Sequence, residues 1–387
     1  MVAKPLKIIA DGHIWGVEAA CAHLSGYDVD LCVLQPKDIT PEAVKNIDIL
    51  LTRTGTKVDA SLLTGASVRF AGTATIGDDH YDKAWLDSHH IAWATAAGSS
   101  TGSVLEYMLA ALLELHAQHK VDLSSMTLGV IGAGRIGGRL VDICRALGIK
   151  VLVNDPPRQR LEGDEGFVSL DELLAQSDIL TLHTPLISEG KHKTYHLLDD
   201  VHLKSFQGKV IINAARGSCI DNIGLLAWMN HKQDAYVVLD CWENEPGVSS
   251  ELLAHKQCVL ATPHIAGHSL DGKAANTQYI YEALCDYLTI KPVWHMNNDL
   301  PDISFIHDKS LKCWSDLHAK VKQMYPIKQD HEALVACANL NSDDNIAKRF
   351  VYLRRHYPVR RAWDKQSLGL SKILKASCSG VYNESKA

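Results

Sequence analysis

The chain has 387 residues, of which 46% are hydrophobic and 22% are charged, and its formal net charge is −6 at pH 7. This length predicts two or three domains, each with its own core. The acidic balance argues against general nucleic-acid binding, and no apolar run reaches the ~18 residues of a membrane-spanning helix. We therefore expect neither a nucleic-acid nor a membrane partner, and an anionic substrate would need a local cluster of positive charge.

The 10 cysteines are scattered from Cys21 to Cys378, and no pair has C-x-x-C spacing. In a chain of this length the pattern predicts reduced, buried thiols in a cytoplasmic protein. No Cys/His set shows ligand spacing, so we expect no metal site. The apolar run near the N-terminus is too short for a signal peptide.

Apolar segments with strand character alternate with helical patterns along the chain. The first four are Leu6–Ala10, Val29–Leu34, Ile47–Leu51 and Val68–Gly77. A long helical pattern follows from Ser103 to Lys120, and Ser103 and Glu106 have the spacing of a capping box. Strands that alternate with helices predict an α/β fold with a parallel sheet.

A glycine motif lies between a predicted strand at about 126–131 and a predicted helix. Gly132, Gly134 and Gly137 form G-x-G-x-x-G, and Asp155 ends the next strand at about the 20-residue spacing of a dinucleotide site. The glycines would permit a tight turn, close approach of a pyrophosphate and close helix–strand packing, and the helix N-terminus would bind the phosphates. An acid that accepts hydrogen bonds from the ribose favours NAD over NADP. The alternative is a glycine turn in an unrelated α/β unit.

Polar or small residues follow each of the later predicted strands. These clusters are His183–Pro185, Ala214–Gly217, Asp240–Glu245 and His264. In doubly wound sheets ligands bind at the carboxyl ends of the strands. We therefore expect cofactor and substrate to meet at these clusters.

Three residues at successive strand ends have complementary chemistry. Arg216 can hold a carboxylate with two parallel hydrogen bonds, His264 can accept or give a proton, and Glu245 can orient the imidazole. Together they suit hydride transfer at a carbon that bears a hydroxyl and a neighbouring carboxylate. Each residue alone also fits a structural role, and spacing alone does not show that the three converge.

These motifs resemble the D-isomer-specific 2-hydroxyacid dehydrogenases. The resemblance lies in G-x-G-x-x-G with Asp155, NAARGSCID, LDCWENEP and TPHIAG. Within that superfamily the chain is most similar to the erythronate-4-phosphate dehydrogenases of the vitamin B6 pathway. The segments that carry this closer likeness are RFAGTATIGDDHYD, NDPPRQ, the HTPL turn, SLDGKAANT and YLRRHYPVRRAW.

The resemblance implies an architecture of three domains. A flavodoxin-like substrate domain would comprise residues 1–97 and 269–290, with a doubly wound, parallel-sheet (Rossmann) NAD-binding domain inserted at 98–268. A small α+β domain at 291–387 would form a homodimer. The implied reaction is NAD-dependent oxidation of a small phosphorylated 2-hydroxy acid, 4-phospho-D-erythronate, at C2.

The resemblance also implies site residues. Arg216, Glu245 and His264 would be catalytic, with His264 as the proton donor or acceptor. The cofactor residues would be Gly132, Gly134, Arg135, Ile136, Gly137, Asp155, Thr184, Ala214, Ala215, Arg216, Asp240 and Gly267. Thr54, Thr75 and His268 would contact the substrate.

The chain departs from the family pattern near the expected substrate. His268 replaces a usual tyrosine, Thr54 a usual serine and Ser100 a usual asparagine. A related dehydrogenase for another 2-hydroxy acid is therefore one alternative, and a non-catalytic NAD(H)-sensing protein is another. The arginines of the C-terminal segment leave three interpretations open, namely a solvated face, an interface and an anion site. They are Arg354, Arg355, Arg360 and Arg361.

Overall fold

The structure is a computed structural model that describes residues 3–303, 311, 313–336 and 343–375. The elements up to residue 100 are β1 (Lys4–Asp11), α1 (Val17–Ala22), β2 (Tyr27–Leu34), α2 (Pro41–Val44), β3 (Ile49–Thr52), α3 (Ala60–Leu63), β4 (Phe70–Thr73), α4 (Lys83–Ser88) and β5 (Ala92–Thr95). From 101 to 268 they are α5 (Thr101–Gln118), β6 (Thr127–Ile131), α6 (Gly137–Ala146), β7 (Lys150–Asn154), α7 (Pro156–Glu162), α8 (Leu170–Gln176), β8 (Ile179–Leu182), α9 (Asp200–Ser205), β9 (Val210–Asn213), α10 (Asn222–His231), β10 (Tyr236–Leu239), α11 (Ser250–Ala254) and β11 (Cys258–Ala261). The remaining elements are α12 (Leu270–Leu288), α13 (Trp314–Met324), α14 (Ile327–Val335), α15 (Asp343–Arg355), α16 (Trp363–Gln366) and α17 (Leu368–Lys375).

The first compact unit comprises residues 1–100 and 269–303. Its five strands are all parallel, in the order β2-β1-β3-β4-β5. Apolar clusters cover both faces, one around Ile8 and Ile280 and the other around Leu50 and Leu86. Successive strands are added on opposite sides of β1, so the carboxyl ends of β1 and β3 are the expected ligand-binding position of this sheet.

The second unit comprises residues 101–268 and 304–387. Its six parallel strands have the order β11-β10-β9-β8-β6-β7, and two large apolar clusters form its core. The strand order reverses between β6 and β8, which places a ligand-binding crevice at their carboxyl ends. The two sheets confirm the predicted α/β class with doubly wound parallel sheets.

The predicted division into three domains stays a prediction. Part of the proposed dimerisation segment at 291–387 lies outside the described residues, namely 304–310, 312, 337–342 and 376–387. Its described helices α13 to α17 belong to the second unit.

Two details of the predicted strands differ from the structure. The segment Val68–Gly77 was predicted as one strand, but β4 ends at Thr73, after which the Thr75 hydroxyl donates to the Gly77 carbonyl at 2.8 Å. Strand β5 was not predicted, because a four-residue segment at the sheet edge has too little apolar periodicity to be recognised.

The predicted capping box of the long helix is wrong. Helix α5 begins at Thr101, so Ser103 lies within its first turn, and Glu106 is buried. The Glu106 carboxylate accepts the Trp363 N–H at 2.6 Å and forms an ion pair with Arg360. The Arg360 guanidinium also lies 4.2 Å from the ring centre of Tyr325. Arg360 is therefore a core residue that ties the C-terminal segment to α5, and not part of a solvated face.

No helix among the described residues is both long and apolar enough to span a bilayer.

Replacing Glu106 by Gln should destabilise the second unit strongly. The substitution leaves the Arg360 charge buried without its partner, and we expect a loss of about 3–5 kcal/mol in the free energy of unfolding. Urea denaturation followed by circular dichroism measures this loss. Glu165→Gln, at an exposed loop position, is the control and should change the midpoint little. Equal midpoints for the two variants would show that the ion pair does not stabilise the fold.

Candidate active site

The glycine loop after β6 has the geometry that a dinucleotide requires. Gly132 has φ +85°, and a Cβ on Gly137 would lie 1.9 Å from the Gly132 carbonyl oxygen, so both positions demand glycine. A Cβ on Gly134 would meet nothing within 4 Å. Gly134 therefore borders open space where a pyrophosphate can approach, beside the N-terminus of α6. These residues fit NAD, and Arg135 and Ile136 complete the loop.

Asp155 lies at the end of β7, against the same loop. Its carboxylate accepts the Ala133 N–H at 2.8 Å and the Arg158 N–H at 3.0 Å, which caps α7. The adjacent Arg158 makes two 2.7 Å hydrogen bonds to Glu162 and a third, of 2.5 Å, to the Ala133 carbonyl. An arginine that is engaged in this way is a poor ligand for a 2′-phosphate, which agrees with NAD as the cofactor.

His183 and Thr184 follow β8, across the strand-order reversal from the glycine loop. A Cβ on Gly132 would lie 2.9 Å from the Thr184 methyl group, so the two loops are in close contact. Burial lowers the pKa of His183 to about 4, so its imidazole is neutral, and its Nε2 lies 3.0 Å from the Thr181 hydroxyl. Thr184 lies against the nucleotide loop, and its contact with NAD stays a prediction.

Glu245 and His264 form a close pair at the ends of neighbouring strands. Glu245 Oε1 lies 2.5 Å from His264 Nδ1, and each side chain is 26% exposed. Burial alone would raise the pKa of Glu245. The charge of His264 and the hydrogen bond to it, with smaller contributions from Arg354 and the Trp242 N–H, hold that pKa below its ordinary value. The ionised carboxylate orients the imidazole, which leaves Nε2 for proton transfer.

Asp240 holds the loop that carries His264. Its carboxylate is fully buried and accepts hydrogen bonds from the Thr262 hydroxyl at 2.7 Å and from the N–H groups of Ile265 and Ala266 at 2.7 and 3.0 Å. Burial raises the pKa of Asp240, against the opposing effects of His264 and of these donors. The contact of Asp240 with the cofactor stays a prediction. Its hydrogen bonds give Asp240 a positioning role for the loop that carries His264.

Arg216 reaches the same edge of the sheet through the loop after β9. The Asn213 side chain donates to the Arg216 carbonyl at 2.9 Å and accepts the Ala215 N–H at 3.1 Å. A Cβ on Gly217 would lie 1.9 Å from the backbone of Trp242, so this loop packs directly on the loop that leads to Glu245. Cys241 lies between Arg216 and Glu245 in the sequence, and its thiol is buried. The charge of Glu245 raises the pKa of this thiol and the charge of Arg216 lowers it. Arg216, Glu245 and His264, the catalytic trio of the sequence prediction, thus follow three adjacent strands, β9, β10 and β11.

The predicted substrate residues of the first unit follow β3 and β4, which are neighbours in its sheet. Thr54 is exposed, whereas Thr75 is buried. The hydroxyl oxygens of Thr75 and Thr73 are 2.8 Å apart. Between β3 and Thr54 lies Arg53, whose guanidinium donates to the His13 carbonyl at 2.8 Å. The sequence analysis missed Arg53, although its position directly after a buried strand was a usable signal.

His268 and Gly267 are both half-buried and belong to the second unit. The His268 ring meets the Tyr357 ring edge-on, with 6.0 Å between their centres. Tyr107 is a second residue that the sequence analysis missed. Its hydroxyl lies 2.9 Å from that of Thr262, beneath the His264 loop, and no pattern in the sequence marks it.

Cys219 and Cys241 are buried packing residues, as expected. Burial raises the pKa of both thiols, and the Cys241 thiol donates to the Ala215 carbonyl at 3.3 Å. Asp221 caps α10 through the Ile223 N–H.

Three potential metal ligands, His196, Asp221 and Glu243, lie within 4.8 Å of one another. Glu243 is 2.5 Å from the His196 ring nitrogen and accepts the Asn222 N–H at 3.2 Å. Because Asp221 caps α10, each member of the cluster already has a protein partner. The expectation that the chain binds no metal stays a prediction.

Comparisons with known proteins identify the relatives of this chain. The family model for the NAD-binding domain of the D-isomer specific 2-hydroxyacid dehydrogenases matches residues 108–266. The erythronate-4-phosphate dehydrogenase of Pseudomonas savastanoi pv. phaseolicola is 40% identical over 384 residues, which covers 96% of this chain and 98% of that protein. The corresponding protein of Proteus mirabilis is 42% identical over 325 residues, covering 83% of this chain and 84% of its own length.

Solved structures show the same fold at lower identity. D-lactate dehydrogenase from Aquifex aeolicus, complexed with NAD and lactic acid, matches with a TM-score of 0.62 at 22% identity and covers 73% of this chain and 95% of its own. NAD-bound 3-phosphoglycerate dehydrogenase of Entamoeba histolytica matches with a TM-score of 0.61 at 21% identity, covering 74% and 96%.

Replacing Gly134 by Ala should weaken NADH binding without destabilising the protein. The new Cβ meets no protein atom within 4 Å, but it occupies the space that the pyrophosphate approaches. We expect the Kd for NADH to rise about tenfold or more, since a displaced phosphate contact loses a charge-assisted hydrogen bond. Fluorescence titration measures the Kd, and thermal unfolding measures the stability. Gly102→Ala, another position with open space, is the control. Unchanged NADH affinity in Gly134→Ala would contradict the assignment of this loop.

Proposed function

This chain belongs to the erythronate-4-phosphate dehydrogenase family and is an NAD-dependent dehydrogenase, and we propose that it oxidises 4-phospho-D-erythronate at C2 for vitamin B6 biosynthesis. The product is 3-hydroxy-2-oxo-4-phosphooxybutanoate. The observation that carries the proposal is the Glu245–His264 pair, 2.5 Å apart, at the sheet edge that also carries Arg216 and the nucleotide loop. Nucleotide sensing alone needs no such proton relay, which disfavours a non-catalytic role.

The proposed proton path begins at the C2 hydroxyl. His264 Nε2 accepts the hydroxyl proton as the C2–H bond breaks, and the resulting imidazolium is stabilised by the Glu245 carboxylate. Since the pKa of Glu245 is held below its ordinary value, this carboxylate is ionised across the neutral range. The left-handed backbone of His264, with φ +54°, and the hydrogen bonds of its loop to Asp240 keep the imidazole in place.

Bound NAD supplies the hydride acceptor. The Arg216 guanidinium is the proposed clamp for the substrate carboxylate, and it also stabilises negative charge on the C2 oxygen. One of its nitrogens donates to the Ala215 carbonyl at 2.8 Å, which restrains the side chain.

Further proposed ligands of the substrate rest on the family resemblance. Thr54 and Thr75 keep hydroxyl groups at the carboxyl edge of the first sheet, and His268 offers a ring nitrogen in the second unit. We also propose that the chain forms a homodimer and acts in the cytoplasm. Support for the dimer comes from the C-terminal segment, where Val359 and Tyr352 are 74% and 50% exposed.

The proposed reaction predicts which acid the purified protein oxidises. With NAD and a trap for the oxo acid, NADH formation should be fastest with 4-phospho-D-erythronate, and slower with D-erythronate and with 3-phosphoglycerate. Faster turnover of D-erythronate or of 3-phosphoglycerate would support a dehydrogenase activity but show that 4-phospho-D-erythronate is not the preferred substrate.

His264→Ala tests the assigned base. We expect kcat/KM to fall about 10²–10⁴-fold, the usual effect of losing a general base. The Kd for NADH should stay unchanged, because the imidazole is proposed to act on the substrate. His231→Ala, at an exposed position on α10, is the control and should match the wild type. Wild-type activity in His264→Ala would overturn the mechanism.

A further inference from the structure

The end of helix α15 packs in an apolar cluster of the second unit to which Trp242 also belongs. Phe350 is buried in the same apolar cluster as Trp242, and Leu353 packs against that cluster. Trp242 in turn donates its backbone N–H to Glu245 at 3.2 Å. A few residues further along, the Tyr357 ring contacts His268. This short stretch of the C-terminal segment therefore shares an apolar cluster with Trp242 and contacts His268 directly.

Arg354 lies in the middle of that stretch. It follows Phe350 by one helical turn, so the two side chains share a face of α15. Arg354 is half-buried, and its positive charge lowers the pKa of Glu245 and of Cys241. The described part of the chain offers its guanidinium no hydrogen bond or ion pair. Arg360, in contrast, is buried and paired with Glu106.

The proposed substrate needs more positive charge than the catalytic trio provides. It carries a carboxylate and a phosphate monoester, whose charge is about −1.5 to −2 at pH 7. The whole chain has a net charge of −6, so binding depends on local cations. Arg216 is assigned to the carboxylate, and the phosphate requires a second cationic group. A guanidinium matches phosphate with parallel hydrogen bonds.

We propose that Arg354 binds the phosphate group of the substrate, on the side of the site where Tyr357 contacts His268. The proposal rests on the proposed function and makes the C-terminal helix α15 part of the substrate site. It assigns specificity for a phosphorylated acid to a residue outside the nucleotide-binding sheet. Chemically, Arg354 discriminates phosphate from hydroxyl at the end of the substrate remote from C2.

Steady-state kinetics of full-length Arg354→Gln tests this assignment. The KM for 4-phospho-D-erythronate should rise about tenfold or more, because a charge-assisted contact is lost. The value of kcat should change less than KM, since Glu245 and His264 remain paired and His264 makes the larger contribution to the lowered pKa of Glu245. The inhibition constant of inorganic phosphate should rise as well, whereas that of D-erythronate as a competitive inhibitor should not. Arg354→Lys should give an intermediate KM, because lysine keeps the charge but not the paired donors.

The control is Arg355→Gln, the exposed neighbour on the same helix, which should behave as the wild type. The Kd for NADH and the thermal unfolding midpoint report whether each variant is folded. If Arg354→Gln does not fold, the KM of Arg354→Lys tests the role of Arg354 in its place. An unchanged KM, or an equal weakening of phosphorylated and unphosphorylated acids, would overturn the role of Arg354. Failure of the wild type to oxidise 4-phospho-D-erythronate would instead refute the proposed function.

Discussion

The buried Asp240 carboxylate is the constraint on which the catalytic end of the second sheet depends. It accepts one hydroxyl and two backbone N–H groups from the loop after β11, and so fixes the turn in which His264 adopts φ +54°. A buried carboxylate is costly unless such donors satisfy it. The loop and the carboxylate therefore require each other, and the imidazole reaches Glu245 as a result. Tyr107 extends the same network by its contact with Thr262.

Glycines at two points allow the loops of the sheet edge to approach one another. Gly137 lies against Gly132 at the start of α6, and Gly217 lies against Trp242 where the loops after β9 and β10 meet. A Cβ at either position would lie 1.9 Å from a backbone atom of the facing segment, so the two segments would have to move apart. The nucleotide loop and the loops that carry the catalytic trio therefore both depend on backbone segments that pack closely at a glycine.

Much of the fold was predictable because its signals are local. A strand, a glycine loop and a helix in sequence define the nucleotide site, and buried strands that end in polar residues mark the carboxyl edge. Arg216, Glu245 and His264 could be selected in this way. Their convergence could not, because it depends on the strand order β9-β10-β11, which spacing does not reveal.

Residues whose roles depend on distant contacts were predicted wrongly or left open. Glu106 has the local spacing of a cap, yet its partners are Arg360 and Trp363, more than two hundred residues away in the chain. Arg354 and Arg360 look alike in the sequence, but the first is half-buried and its charge lowers the pKa of Glu245, whereas the second is paired in the core. Only the packing of the C-terminal helices on the second unit separates these cases.

In the proposed reaction, C2 of the substrate gives up a hydride, which bound NAD would accept, while His264 takes the hydroxyl proton. The most direct test is the transfer of label from 4-phospho-D-erythronate deuterated at C2, followed by mass spectrometry of the reduced cofactor. We expect the deuterium to be recovered in the reduced nicotinamide, and turnover to slow to the extent that hydride transfer limits the rate. Reduced cofactor without deuterium would rule out oxidation at C2, since the hydride would then come from another carbon.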